Sequence, residues 1–485
     1  MAFLAIMMLM CLYSCKTEDR KDNPGRVKTV ILDAGIRYQK IDGFGVNITP
    51  AQWRDGNLKP AIDMLADDLG CTLYRFDCTG LANWLDPARR NSDGTWPEEY
   101  LEQVYTSPVF SDAWETYRYL QSKGAEPFFN VSGRIPPGLG KDGSNRLTDY
   151  DGYAEMVVTL LWWAREKEGL KFTLFAPFNE VDLGYPEGPD MEPGDCYPAV
   201  KAIVEKMKQS GLGDVKLIVM DDSWIHSGNL ESILDKPDLV PYIYAFGGHT
   251  YGDGGDQDGD QFFGPSSFKK TIEKIEQSPF KGTPLWITEY GDLDQTGEVE
   301  YLFAWKSTRR LLKVLNDGAA AALAWDAFDN FHEHDTAWAI YGLLKTDTTD
   351  WSYSPRRRYF AARQVYRFVP PGFIRTAIHA PEPAGYDVYK TWHDPLKNML
   401  LTSFVSEDNK DFTIVGMSNV ECDVELTIQL EGMPGDMNNK VVSSYRTSRN
   451  KDCVPAGTCT IRDNRFTAII KEGSVFTLTS LTKGQ

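Results

Sequence analysis

The chain is short of what several kinds of chemistry require. It has 6 histidines and no Cys-x-x-Cys pair among its 8 cysteines, so a zinc site has little to be built from. No glycine-rich phosphate loop follows any apolar stretch, which removes the usual signature of a nucleotide enzyme. Basic residues are outnumbered 51 to 69, a net charge of −18, and a surface of that sign does not hold nucleic acid. After residues 3–13 there is no further long apolar run, and 3–13 is itself too short to span a bilayer as a helix. What is abundant is apolar and aromatic. Hydrophobic residues make up 42%, enough for a large core, and the 12% that are aromatic suit either that core or stacking on sugar rings.

The run 3–13 leads into Leu12-Tyr13-Ser14-Cys15, which resembles a bacterial lipoprotein signal. On that reading 1–15 is a signal peptide, Cys15 carries the lipid, and the polar stretch 16–26 is a tether. The expectation is an exported outer-membrane or cell-surface lipoprotein, facing outward or toward the periplasm, whose only membrane contact is the anchor. Cys71 and Cys78 bracket a strand and read as small core residues. Cys453 and Cys459 flank a turn-like Val-Pro-Ala-Gly-Thr and could pair in an oxidising compartment.

From residue 41 a strand-then-helix pattern recurs. Strands are expected at 41–48, 72–77, 126–132, 172–178, 215–221, 242–248, 284–289 and 319–328. Helices are expected at 58–69, 112–123, 150–168, 196–210, near 229–234, and at 266–277, 297–316 and 355–368. Alternation of this kind implies parallel strands, and eight repeats in about this length fit a (β/α)8 TIM barrel, an α/β fold, over 35–369. A doubly wound open sheet is the competitor. Beyond Pro370-Pro371-Gly372 the texture changes to short strands at 387–392, 399–404, 412–417, 424–430, 441–445, 466–470 and 475–478. This is a C-terminal β-sandwich domain over 370–485, which an early strand within 27–34 is expected to join.

Two apolar strands end in glutamate. The fourth runs into Asn179-Glu180 and the seventh into Glu289. In an eight-stranded barrel these ends face each other across the mouth, where loops between strand and helix open. A carboxylate on each side of a bond is what glycoside hydrolysis needs: an acid for the leaving oxygen and a partner at the sugar carbon.

With these residues the chain resembles the clan of retaining glycoside hydrolases built on this barrel, and within it family 30. The features are Asn179-Glu180, Glu289, Ile41-Asp42-Gly43-Phe44-Gly45 on the first strand, the helix and exit at 359–371, and the β-sandwich. Ser132-Gly133-Arg134-Ile135-Pro136-Pro137 departs from the family's Trp-bearing Ser-Pro-Pro, and Val181 stands where a proline is usual. The resemblance implies that Glu180 is the acid/base and Glu289 the nucleophile. It implies that Asn179 binds the sugar 2-hydroxyl and that Arg75 keeps Glu289 ionised. Tyr251 would donate to the nucleophile and His249 would touch sugar or acid. Trp325 or Trp224 would either form the stacking floor or pack in the core. Asp222, Asn330, His332 and Trp84 lie on loops of the same face. The acidic loop 253–260 lacks the spacing of a calcium loop.

The reading is a retaining β-glycoside hydrolase acting on a polysaccharide or oligosaccharide, monomeric, with no cofactor and no metal. The alternative is a glycan-binding lipoprotein whose barrel is catalytically silent.

Overall fold

The computed structural model describes residues 27–78, 83–251, 268–291, 300–329, 331, 340–381, 399–420, 422–433 and 437–482. The signal, Cys15, the tether, the loop 253–260, Asn330, His332 and the strand expected at 387–392 lie outside the described residues.

Eight strands close a parallel barrel: Gly43–Ile48, Leu73–Asp77, Glu126–Asn130, Leu174–Ala176, Lys216–Asp222, Ile243–His249, Leu285–Tyr290 and Ala321–Ala324. The doubly wound alternative falls, because the first strand pairs in parallel with the eighth, Gly43 opposite Ala321 and Val46 opposite Ala324. The strands are apolar on both faces because both are covered. Inside, Leu73, Phe128, Leu174, Ile218, Trp286 and Leu323 fill the barrel. The Gly-Phe-Gly of the first strand has a physical reason. A Cβ on Gly45 would collide with the Leu73 carbonyl of the neighbouring strand.

Helices Pro108–Ser122, Tyr150–Glu166, Pro193–Gln209, Phe268–Glu276, Glu300–Asp317 and Arg357–Tyr366 wrap the barrel. The helix expected near 229–234 does not form; that stretch is a series of turns. It is too short to repay helix nucleation. Its polar side chains bond locally instead: Asn229 Nδ2 donates to Asp222 Oδ1 at 3.1 Å and Ser232 Oγ to the Asn229 carbonyl at 2.6 Å. Among the described residues no helix is long and apolar enough to cross a membrane.

The remaining strands form one mostly antiparallel sheet of nine. Its first member is Val27–Lys40, which pairs with Ile374–His379 on one side and, in parallel, with Val424–Glu431 on the other. The sheet folds over on itself as a sandwich. Phe412 and Phe466, on strands far apart in the sheet, stack with ring centres 5.7 Å apart. Val424–Glu431 and Arg465–Ile470 alternate buried with exposed residues, as strands with one wet face do. Phe412–Ser418 and Ser474–Thr479 are buried throughout, because their second face lies on the barrel. Leu400, Phe404, Val415, Met417 and Val475 belong to the same apolar cluster as the barrel's helices. Thr413 Oγ1 donates to the Phe368 carbonyl at 2.6 Å, and Asn316 Nδ2 to the Leu401 carbonyl at 3.0 Å.

One strand was hidden in the sequence. Lys451–Thr460 is a strand paired with Val441–Ser448, where the sequence suggests a turn between Cys453 and Cys459. Both thiols are free. Six residues along one strand separate them by about 20 Å, far beyond disulfide reach.

Candidate active site

The mouth of the barrel is organised around Arg75 on the second strand. Its guanidinium is buried and fully occupied. Nη1 donates to Asn47 Oδ1 and Glu289 Oε1, both at 2.7 Å. Nη2 donates to Asn179 Oδ1 at 2.6 Å and Asp221 Oδ2 at 2.8 Å, and Nε reaches Asp221 Oδ2 at 3.1 Å. One planar fork thus ties together the ends of the first, second, fourth, fifth and seventh strands, a geometry lysine could not supply.

Glu289 is held by both oxygens, since Tyr251 donates its hydroxyl to Oε2 at 3.1 Å. Glu180 stands just past the fourth strand, buried, with φ of 40°. Met220 and Asp221, at 74° and 52°, share that left-handed backbone, which is costly for residues with a Cβ and typical of functional sites. Glu180 N–H donates to the Asp221 carbonyl at 2.9 Å, locking the two strand ends together. His249, which ends the sixth strand, places Nδ1 2.6 Å from Glu180 Oε1. Its Nε2 faces Glu289 Oε1 at 3.5 Å and Asp221 Oδ1 at 3.6 Å, outside hydrogen-bond range of either. Ligand atoms of Glu180, His249 and Glu289 lie within 4.8 Å of one another. A metal triad could be as compact, but Arg75 at 2.7 Å from Glu289 already supplies the positive charge there.

The electrostatics separate the carboxylates. Burial opposes ionisation of Asp221, yet Arg75, His249 and Thr288 hold it down at about 2. Burial pushes Glu289 up to about 7 although His249 and Arg75 pull it down, with Glu180 and Asp221 adding repulsion. The resemblance implies that Arg75 keeps Glu289 ionised; Arg75 does pull its proton affinity down, but burial outweighs that pull. Burial disfavours a charged His249, but Glu289, Asp221 and Glu180 overcome this and raise it well above the usual imidazole range.

Glu180, Glu289, Asn179, Arg75, His249 and Tyr251 are brought together by these contacts. Asn179 also donates Nδ2 to the Glu187 carbonyl at 3.0 Å. Trp325 follows the eighth strand, its N–H donating to the Tyr290 carbonyl at 2.9 Å, and is half-buried beside Gly291 and Ala324. Trp224 lies apart, exposed two residues beyond the fifth strand. Asp222 is buried against Ser227 and Asn229 and pushed up to about 8 by burial and by Asp182. Trp84 packs on Phe110 and donates to Tyr105 Oη at 3.1 Å, a packing role. Sequence reasoning missed Asn47, Asp221 and Thr288. Each is a polar residue near the mouth end of a strand whose middle is apolar, and that was the available signal.

The fold is that of glycoside hydrolases. The chain is similar to a family 30, subfamily 8 xylanase from Clostridium acetobutylicum, with a TM-score of 0.68 at 15% identity over 93% of this chain and 99% of the xylanase. An endo-β1,6-glucanase matches with a TM-score of 0.63 at 16% identity over 94% of this chain and 95% of its own. A conserved exported protein from Bacteroides fragilis matches with a TM-score of 0.68 at 14% identity over 93% and 100%. At these identities the likeness is one of fold. No protein-family model matches the chain, and no curated protein matches it in sequence.

Proposed function

We propose that the protein is a retaining β-glycoside hydrolase of the family 30 type, acting on a polysaccharide or oligosaccharide. The observation that carries this is the glutamate pair. Glu180 and Glu289, from facing strand ends, bring carboxylate oxygens within 4.8 Å of each other. That spacing suits direct attack by one carboxylate; an inverting pair stands about 6.5–9.5 Å apart to admit water.

In the first step an ionised Glu289 oxygen bonds to the anomeric carbon as the bond to the leaving oxygen breaks. Glu180 delivers its proton to that oxygen. In the second step Glu180 takes a proton from water, the water oxygen bonds to the same carbon, and the Glu289 ester breaks. Two inversions give net retention. His249, 2.6 Å from Glu180, keeps the travelling proton within a buried pair. Arg75 and Tyr251 orient the two Glu289 oxygens. Asn179, its Oδ1 fixed by Arg75, turns its amide to the sugar 2-hydroxyl, and Trp325 forms the floor beneath the sugar ring. The proposed enzyme acts as a monomer on a glycan, and the two steps above draw on no cofactor or metal. The net charge of −18 keeps it from nucleic acid.

Glu180→Ala tests the mechanism. With an activated aryl β-glycoside, whose leaving group needs no proton, added azide should restore turnover and give a β-glycosyl azide. An α-azide would mean no covalent intermediate and end the retaining assignment. Failure of the native protein to turn over any aryl β-glycoside or β-glycan would favour a glycan-binding barrel instead.

The location we propose is an exported lipoprotein anchored at Cys15 on the outer membrane or cell surface. Its support is the 3–13 apolar run and the similarity to an exported protein. Cys15→Ala should move the protein from the membrane to the soluble fraction; an unmoved variant would refute the anchor.

A further inference from the structure

The loop that carries Glu180 does a second job. Its Asp182 carboxylate accepts three hydrogen bonds from the turn after the fifth strand: from Ser223 N–H at 3.0 Å, Ser223 Oγ at 2.8 Å and Trp224 N–H at 3.0 Å. The same loop is pinned to Glu180, since Leu183 and Gly184 N–H both donate to the Glu180 carbonyl, at 3.0 and 2.9 Å. Trp224 is thereby fixed relative to the acid/base, one hydrogen bond from a residue two positions along the chain. Its ring is not packed away. Trp224 is 50% exposed, and on the Glu180 loop Leu183 and Tyr185 are 61% and 62% exposed. The ring meets His226 edge-on, with centres 6.2 Å apart, and the rest of a tryptophan left half exposed costs solvation without contributing to the core.

We propose that Trp224, positioned by Asp182, is a stacking platform for the sugar on the leaving-group side of the cleaved bond. This rests on the glycosidase reading and deepens it. The acid/base stands next to the leaving oxygen, so a ring tied to its loop lies on the side of the departing sugar. Trp325, half-buried after the eighth strand, remains free to serve the sugar that is attacked. A pyranose presents an apolar C–H face that covers an indole. The substrate class is therefore a β-linked chain with at least one pyranose unit on the leaving side, rather than a sugar joined to an arbitrary alcohol.

The test uses the full chain and the sugar whose aryl β-glycoside it turns over. It measures kcat/KM on that aryl glycoside and on the β-linked di- to pentasaccharides of the same sugar. Trp224→Ala should lower the ratio of oligosaccharide to aryl-glycoside kcat/KM by about tenfold, mainly through KM. Trp224→Phe, which restores a ring, should recover most of it. Asp182→Asn should move the ratio in the same direction with an unchanged melting temperature. A ratio unmoved in Trp224→Ala overturns the platform and leaves the glycosidase standing. Absence of any turnover by the native protein would remove the glycosidase reading itself.

Discussion

The two ends of the barrel are made from the same eight strands and treat their carboxylates differently. At the foot, Asp42 accepts from Trp286 Nε1 at 2.7 Å and lines an open pit of about 400 Å3 with Glu126, Lys216 and Tyr244. Its acid is a packing partner that satisfies a buried indole. At the mouth, three buried carboxylates crowd around Arg75 and His249, and the proton affinities of two of them, Asp221 and Glu289, are driven apart. Asp221 sits at about 2 and Glu289 at about 7, though both touch the same guanidinium. Asp221 takes two N–H groups of Arg75 on one oxygen and the Thr288 hydroxyl on the other. Glu289 has a single bond from Arg75 and one from a neutral phenol. Burial raises both acids; the pull of Arg75, with hydrogen bonds to the charged form, outweighs it at Asp221, whereas at Glu289 burial and the repulsion of Glu180 and Asp221 win. The foot is built for stability, while the mouth keeps an acid poised near neutrality, which suits the reacting role proposed for Glu289.

The contrast is broken most severely at Glu289, the proposed nucleophile. Glu289→Gln should lower kcat by about 10^4-fold or more in steady-state hydrolysis of an aryl glycoside, since no carboxylate remains to attack. Retention of even a tenth of native activity would exclude Glu289 from bond-making.

Next comes the guanidinium. Arg75→Met removes the main counter-charge of buried Asp221, and should cost about 3–5 kcal/mol in urea unfolding. A loss below about 1 kcal/mol would mean that the network contributes little to stability.

The third expectation is a pH signature. Glu289 in the folded chain takes its proton at about 7, above the ordinary 4.5. Between those values the folded state holds a proton that the unfolded state has released, so this group's contribution to stability is lost as pH rises from 4.5 to 7. Glu289→Gln lacks that loss. Its melting temperature relative to native should therefore climb across the window and level off above it. Activity of the native enzyme should run the other way, rising as pH passes about 7 and Glu289 ionises. A melting difference independent of pH would show that burial does not set this acid.

The smallest effect belongs to the foot. Asp42→Ala strands the Trp286 N–H and should cost about 1–3 kcal/mol of stability while leaving kcat unchanged. A fall in kcat would mean that the two ends are coupled.

Much of this molecule is local in origin and was readable as such. Apolar stretches such as 172–178 and 284–289 carry their own strand signal, and their recurrence between helical periods specifies the barrel. A glutamate closing two of them stands at the mouth by virtue of its place in the repeat. The strand Lys451–Thr460 was not readable, because Pro455 and Gly457 give it the composition of a turn and only its pairing with Val441–Ser448 makes it a strand. The turns at 229–234 misled in the opposite sense, through side-chain bonds that periodicity does not register.

The sequence by itself determined the alternation of strand and helix, the change to β-structure after Pro370, and the chemical kind of each group at the mouth. Only the tertiary structure decided that Asn47, Arg75, Asn179, Asp221 and Glu289, drawn from five strands and their ends, would share one buried network, with His249 against Glu180 beside it. It also decided that Trp224 would be tied to the acid's loop while Trp325 would not. The physical reason is range. Strand periodicity is a property of neighbours along the chain, whereas a proton affinity depends on the charges and solvent within a few ångströms, and those arrive only when the barrel closes.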